Sequence, residues 1–245
     1  MFKIFVWLVA LLAADARAAR PFVTDDARLT NANSCQLESW MRSYPDSQEF
    51  WALPACNFGG NFEVTAGGGA AHNISGNRHW TSDYVFQAKT LFKPLDTNDW
   101  GIGLAAGNIH HPQINPGPNL LGNYYAYVPM SLSLRDDLFI IHANLGWLRD
   151  KASGRDQTTW GLGTEINMNQ RWTWIAESFG SGGGQEQSGQ AGSHQAYWQA
   201  GLRYGVIPGL LQVDATYGRP IYQQPDNSRW LSIGIRMTPT DLLSR

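Results

Sequence analysis

The sequence predicts an all-β chain closed into a single antiparallel transmembrane β-barrel of about 12 strands, with a signal peptide ahead of it. Three observations lead there. Apolar and polar residues alternate with period two along most of the chain, long and short connections succeed one another, and aromatic residues gather towards strand ends on the apolar face.

Composition narrows the classes first. In 245 residues, 18 Lys and Arg face 20 Asp and Glu, a near-neutral balance without a nucleic-acid footprint. Charged residues make up 16%, against roughly 25% in soluble domains, and no apolar run is long enough for a membrane-spanning helix.

At the start of the chain, Lys3, the apolar run Ile4 to Ala14 and the small-x-small triplet Ala16-Arg17-Ala18 read as an export signal over 1–18. Residues 19–34 follow as a periplasmic segment or lumen plug, whose Asp25-Asp26 pair is placed to meet lumen bases. The barrel is expected over 35–238 and a C-terminal tail over 239–245.

The two cysteines of an exported protein can oxidise. Cys35 and Cys56 are symmetric about a turn between Pro45 and Asp46, so a hairpin would set them opposite each other and a disulfide is expected. Two cysteines at this distance indicate no metal site, and adjacent His110 and His111, on a loop with Pro112, Pro116 and Pro118, are expected to be loop residues.

Alternation is clearest from Asp137 to Arg149, where Phe139, Ile141, Ala143, Leu145 and Trp147 oppose His142, Asn144 and Gly146. It recurs over 157–168, 195–206, 210–219 and 228–238. With 35–43, 49–57, 61–71, 79–92, 98–108, 123–135 and 171–180 these complete the strand set. Connections after the third, fifth, seventh, ninth and eleventh strands read as long, those between them as short, as in outer-membrane barrels. Trp80, Trp100, Trp147, Trp160, Trp172, Trp174, Trp198, Tyr204 and Tyr217 then belong to two interfacial girdles.

If the apolar face meets lipid, the other face lines the interior. That set contains Glu38, Glu63, Glu165, Glu177 and Asp214 with Lys89, Arg135, Arg203 and Arg236, beside His142. The near-cancelling charges fit either a paired, plugged lumen or a narrow aqueous path, with Glu165, Glu177, Arg203, Asp214 and Arg236 as its constriction. No nucleophile elbow, zinc-protease helix or phosphate loop is present. The best catalytic constellation is Ser131 opposite His142 with Glu165 on the next strand, but all three would face the lumen.

Arg20-Pro21-Phe22-Val23-Thr24-Asp25-Asp26-Ala27, Cys35-Gln36-Leu37-Glu38-Ser39-Trp40, Asn144-Leu145-Gly146-Trp147-Leu148-Arg149, Trp160-Gly161-Leu162-Gly163-Thr164-Glu165 and Asp214-Ala215-Thr216-Tyr217-Gly218 resemble the outer-membrane family named for the meta-pathway of phenol degradation. The resemblance implies a Gram-negative outer-membrane barrel passing small, often hydrophobic or aromatic compounds. The last strand resembles the signal read by the barrel-assembly machinery at Ser232, Gly234 and Ile235, with Met237 where a terminal aromatic is usual.

The expected function is therefore a non-enzymatic outer-membrane channel or passive transporter, with a sealed display barrel or a barrel hydrolase as alternatives. Its expected partners are membrane lipid, the assembly machinery and a small solute, with no nucleic acid and no cofactor.

Overall fold

The computed structural model describes residues 23–74, 80–110, 122–151, 154–183, 195–222 and 229–239. The expected signal peptide, most of the tail, His111 and three of the prolines near it lie outside those residues.

Period two becomes strand throughout. The elements are β1 (Ser34–Ser43), β2 (Ser47–Asn57), β3 (Phe62–Asn73), β4 (Trp80–Lys93), β5 (Trp100–His110), β6 (Asn123–Leu134), β7 (Phe139–Asp150), β8 (Arg155–Asn167), β9 (Trp172–Gly182), β10 (Gln195–Ile207), β11 (Leu211–Pro220) and β12 (Trp230–Met237). Each pairs antiparallel with its sequence neighbours, and β1 pairs with β12, closing a 12-stranded barrel. Closure leaves no strand edge without a ladder, the condition for crossing hydrocarbon with β structure.

Side-chain exposure follows the alternation. On β12, Trp230, Ser232 and Arg236 are buried in the interior, while Leu231, Ile233, Ile235 and Met237 are exposed outside. Leu145, Leu162 and Leu231 are 58%, 55% and 62% exposed, a wasteful arrangement in water and the expected one in lipid. Around this aliphatic belt, Trp100, Trp172, Trp174 and Tyr204 ring the end of the barrel that carries both termini. Trp80, Trp147, Trp160, Trp198 and Tyr217 ring the opposite, loop end. Belt and girdles are those of an outer-membrane β-barrel.

The first hairpin fixes its own register. Cys35 stands directly opposite Cys56, and the two are joined by a disulfide on the outer face. The expected alternation of long and short connections is only partly met. At the loop end, β1 and β2 are joined by 44–46 and β7 and β8 by 151–154 alone, because the β7–β8 ladder continues to Asp150 opposite Arg155. An ion pair from Arg149 to Asp156 at 2.9 Å supports that extension.

Arg135 departs from its expected place. β6 ends at Leu134, and Arg135, Asp136 and Asp137 all take positive φ, turning the chain at the rim. The Arg135 side chain is exposed and lies 5.8 Å from the Phe139 ring centroid, so it belongs to the turn rather than the lumen. His110, expected in a loop, ends β5 and stacks on Tyr84 at 5.0 Å.

Candidate functional site

The lumen is occupied by the chain's own N-terminal segment. From Val23 near the loop-end half, residues 23–33 run down the interior to the start of β1. This stretch has no regular ladder of its own, so its backbone groups bond wall side chains, wall backbone at Leu95 and Asn57, and its own Asp25 and Asp26 carboxylates. Glu177 accepts from both Val23 N–H and Thr24 N–H at 2.7 Å. Ala27 N–H donates to Ser131 Oγ at 2.9 Å, and Ala27 carbonyl accepts from Leu95 N–H at 3.0 Å. Lower down, Thr30 N–H donates to Glu63 at 2.7 Å, and Thr30 carbonyl accepts from the Asn57 amide at 2.7 Å.

Charge holds the middle of the plug. Lys89 lies 3.0 Å from Asp25 and 3.5 Å from Asp26, all three nearly excluded from solvent. The Tyr127 hydroxyl donates to the other Asp25 oxygen at 2.6 Å. Oriented for pairing, the Asn144 amide donates to Asp25 carbonyl and accepts from Asp25 N–H, at 2.9 and 2.7 Å. Two wall glycines give the plug room. A Cβ at Gly161 would lie 2.6 Å from Thr24 Oγ1, and one at Gly101 would lie 2.9 Å from Ala27 Cβ. Ala27 itself is fully buried beside Leu91, Leu95 and Ile140.

Two further pairs of opposite charge lie inside the wall. Arg203 lies 2.9 Å from Glu165, and Asp214 stands opposite Arg203 across β10 and β11. Arg236 is 3.9 Å from Glu38, opposite it in the β1–β12 register, and also donates to Gln36. Of the lumen residues named from the sequence, Glu38, Glu63, Lys89, His142, Glu165, Glu177, Arg203, Asp214 and Arg236 are all buried inside. Glu177 and Glu63 are not bare lining, however, since both carry plug backbone. Uncompensated buried ions are costly, which is why Lys89, Arg203 and Arg236 each stand beside an acid in this interior.

The plug lies between two cavities. One of about 380 Å³ towards the loop end is walled by Trp40, Trp51, Val85, Ile109, Phe179 and Tyr197, with Val23 at its border. Trp40 and Trp51 face each other in the β1–β2 register with centroids 6.0 Å apart. Gly69 makes this possible, because a Cβ there would lie 2.9 Å from the Trp51 ring. The other cavity, of about 520 Å³ and open towards the terminal end, is bordered by Asp25, Asp26, Glu38, Glu63, Lys89 and Arg236. These inward aromatics escaped the sequence reading, which sent aromatic residues to the lipid face. Strand parity was the available signal: Trp40 shares a face with Glu38, and Trp230 with Arg236.

The Ser131, His142, Glu165 constellation does assemble. Ser131 Oγ lies 2.8 Å from His142 Nδ1, and His142 Nε2 is 3.8 Å from Glu165, which the Arg203 guanidinium also engages. Ser131 is 5% exposed, receives the Ala27 N–H and borders neither cavity, so an ester has no approach to its oxygen while the plug is seated. Among the described residues, no group of three or more His, Cys, Asp or Glu side chains could hold a metal ion.

Three solved structures share this architecture at low sequence identity. The NanC porin superposes with a TM-score of 0.58 at 13% identity, over 82% of this chain and 97% of its own. The KdgM porin gives 0.56 at 11% identity, over 82% and 98%. The COG4313 outer membrane channel from Pseudomonas putida F1 gives 0.57 at 10% identity, over 89% and 100%. At such identities the likeness is one of fold. No curated protein matches the sequence significantly. A family model described as "Uncharacterised conserved protein UCP029691" matches residues 7–238, and the chain therefore belongs to that family.

Proposed function

We propose that the protein is an outer-membrane channel for small, predominantly apolar or aromatic solutes, entered through the aromatic chamber and gated by the N-terminal plug. The observation that carries this reading is a pair of neighbouring cavities inside the barrel that share wall residues Leu53, Val85 and Gln87, with Val23 bordering one and Thr24–Asp26 the other. Aromatic walls suit an apolar body, because ring faces bury area at little rotamer cost. The resemblance to the phenol-degradation family points to the same solute class. With the loop end outside the cell and the terminal end in the periplasm, a solute would leave the aromatic chamber past the plug and enter a polar vestibule. There Glu165, Arg236 and Glu38 would bias selection by charge. Lipid and the assembly machinery would be its partners, the latter through β12.

The seated plug favours a second reading, a sealed barrel that displays its loops. Reconstitution separates the two. Vesicles carrying the protein should take up benzenesulfonate, which crosses bare lipid poorly, faster than raffinose. Uptake no faster than in protein-free vesicles for both solutes would favour the sealed barrel.

A further inference from the structure

The Asp25 carboxylate sits where a ligand's carboxylate would be expected. One oxygen is 3.0 Å from Lys89 Nζ, and the other accepts from the Tyr127 hydroxyl at 2.6 Å. An ammonium and a phenol converging from two strands on the two oxygens of one carboxyl form a built recognition site, and charge-assisted bonds of this kind are the strong ones. These two donors belong to the wall, β4 and β6, whereas the acceptor belongs to the plug, which itself adds the Asp26 N–H on the lysine-facing oxygen at 3.0 Å. The site is also positioned as the polar terminus of an apolar pocket. Tyr127 and Gln87 border the aromatic chamber, Lys89 borders the vestibule, and the Tyr125 hydroxyl donates to Gln87 beside them at 3.0 Å.

We propose that this is a binding site for small aromatic monocarboxylates, with the ring in the chamber of Trp40, Trp51 and Phe179 and the carboxylate on Lys89 and Tyr127, and that Asp25 is the plug's built-in stand-in for that ligand. The idea rests on the chamber being a solute path, as proposed above, and adds the solute's charge and the way it opens the plug. Charge balance requires displacement rather than addition. Lys89 already faces Asp26 at 3.5 Å, so a third carboxylate would be repelled unless Asp25 withdrew. Binding of the solute and seating of Asp25 are then mutually exclusive. A solute of the right class would thus loosen the plug at its centre, while a neutral analogue would find the donors occupied.

Tethered to the barrel, Asp25 competes at an effective concentration in the millimolar range. Its removal should therefore raise ligand affinity without any new contact. The experiment is equilibrium dialysis of radiolabelled benzoate and benzamide against the full-length protein in detergent, comparing wild type, Asp25→Ala and Tyr127→Phe. Asp25 lies outside every strand, so its substitution leaves the wall untouched, and barrel folding is checked by heat-modifiable gel mobility. Asp25→Ala should bind benzoate at least about tenfold more tightly than wild type, with benzamide changed by less than twofold. Tyr127→Phe should weaken benzoate relative to wild type. Equal benzoate affinity in wild type and Asp25→Ala, or a parallel gain for benzamide, would overturn the proposal. Because dialysis reads binding and vesicle uptake reads passage, failure of this site and failure of the channel reading give different results.

Discussion

Replacing Glu177 with Ala removes the clamp at the head of the plug. In the native protein its two oxygens accept the adjacent N–H groups of Val23 and Thr24, both at 2.7 Å, inside a wall where Glu177 is 4% exposed. A hydrogen bond to a charged group contributes about 1.5–3 kcal/mol net. These two share one carboxylate and are lost together, so the plug head should be weakened by about 3 kcal/mol. At 1.4 kcal/mol per tenfold, the population in which residues 23–25 have left their seat rises about 100-fold. Hydrogen exchange measured by mass spectrometry on the peptide spanning the plug reads that population directly. Exchange at the head should accelerate by about that factor, while β8 and β10 amides away from position 177 stay protected. Glu177→Gln keeps an acceptor oxygen and loses the charge, and should fall between the two. Plug exchange within twofold of wild type in Glu177→Ala would refute the claim that this carboxylate holds the segment.

Other perturbations act on separate parts of the account. Gly161→Val places a side chain against Thr24, and overpacking of about 1–3 kcal/mol should unseat that residue; exchange at Thr24 and Asp25 should rise about five- to 100-fold, and unchanged exchange would show that the wall yields instead. The disulfide closes a sequence separation of 21 and is worth at most about 3 kcal/mol, less here because the hairpin is also laddered into a closed sheet. A Cys35→Ser, Cys56→Ser double variant should fold and lose its folded gel form at a lower temperature than wild type, and an unshifted midpoint would count against any stabilising role. Asp99, in the exposed turn after β4, has its carboxyl held below the usual value first by Lys93 at 2.5 Å and then by the Trp100 N–H. A depressed folded value means the turn is stabilised above the ordinary carboxylate range and loses that support as pH falls through the depressed value. An NMR titration should show Lys93→Met moving Asp99 back towards the ordinary carboxylate value, whereas an unmoved titration would remove Lys93 as the cause.

The strands were legible because a membrane barrel writes its environment into every second residue. Leu145 and Leu162 face outwards and His142 and Glu165 inwards with no exception that tertiary packing had to impose. The Cys35–Cys56 pairing was legible for a related reason, since antiparallel register is fixed by a short turn and can be counted from it. Arg135 failed at a boundary: parity sent it inwards, but the chain had already turned. The plug was hardest to read. Residues 23–33 carry no period, and their partners Glu177, Ser131 and Lys89 lie far away in sequence, so local pattern contains no trace of the contact. The Asp25-Asp26 pair was its only hint, because two adjacent acids have an electrostatic reason to seek an inward base such as Lys89. The inward aromatics were missed through a rule applied by residue type instead of by parity.

The central claim of the proposed reading is that, among the described residues, the N-terminal segment is what closes a path through the barrel. Single-channel recording in planar bilayers tests it most directly, comparing the intact protein with one lacking residues 20–30. The account predicts discrete current steps in potassium chloride that are markedly larger after the deletion, because the two cavities then merge. Bilayers that stay silent with both proteins, although both are folded and inserted, would contradict it.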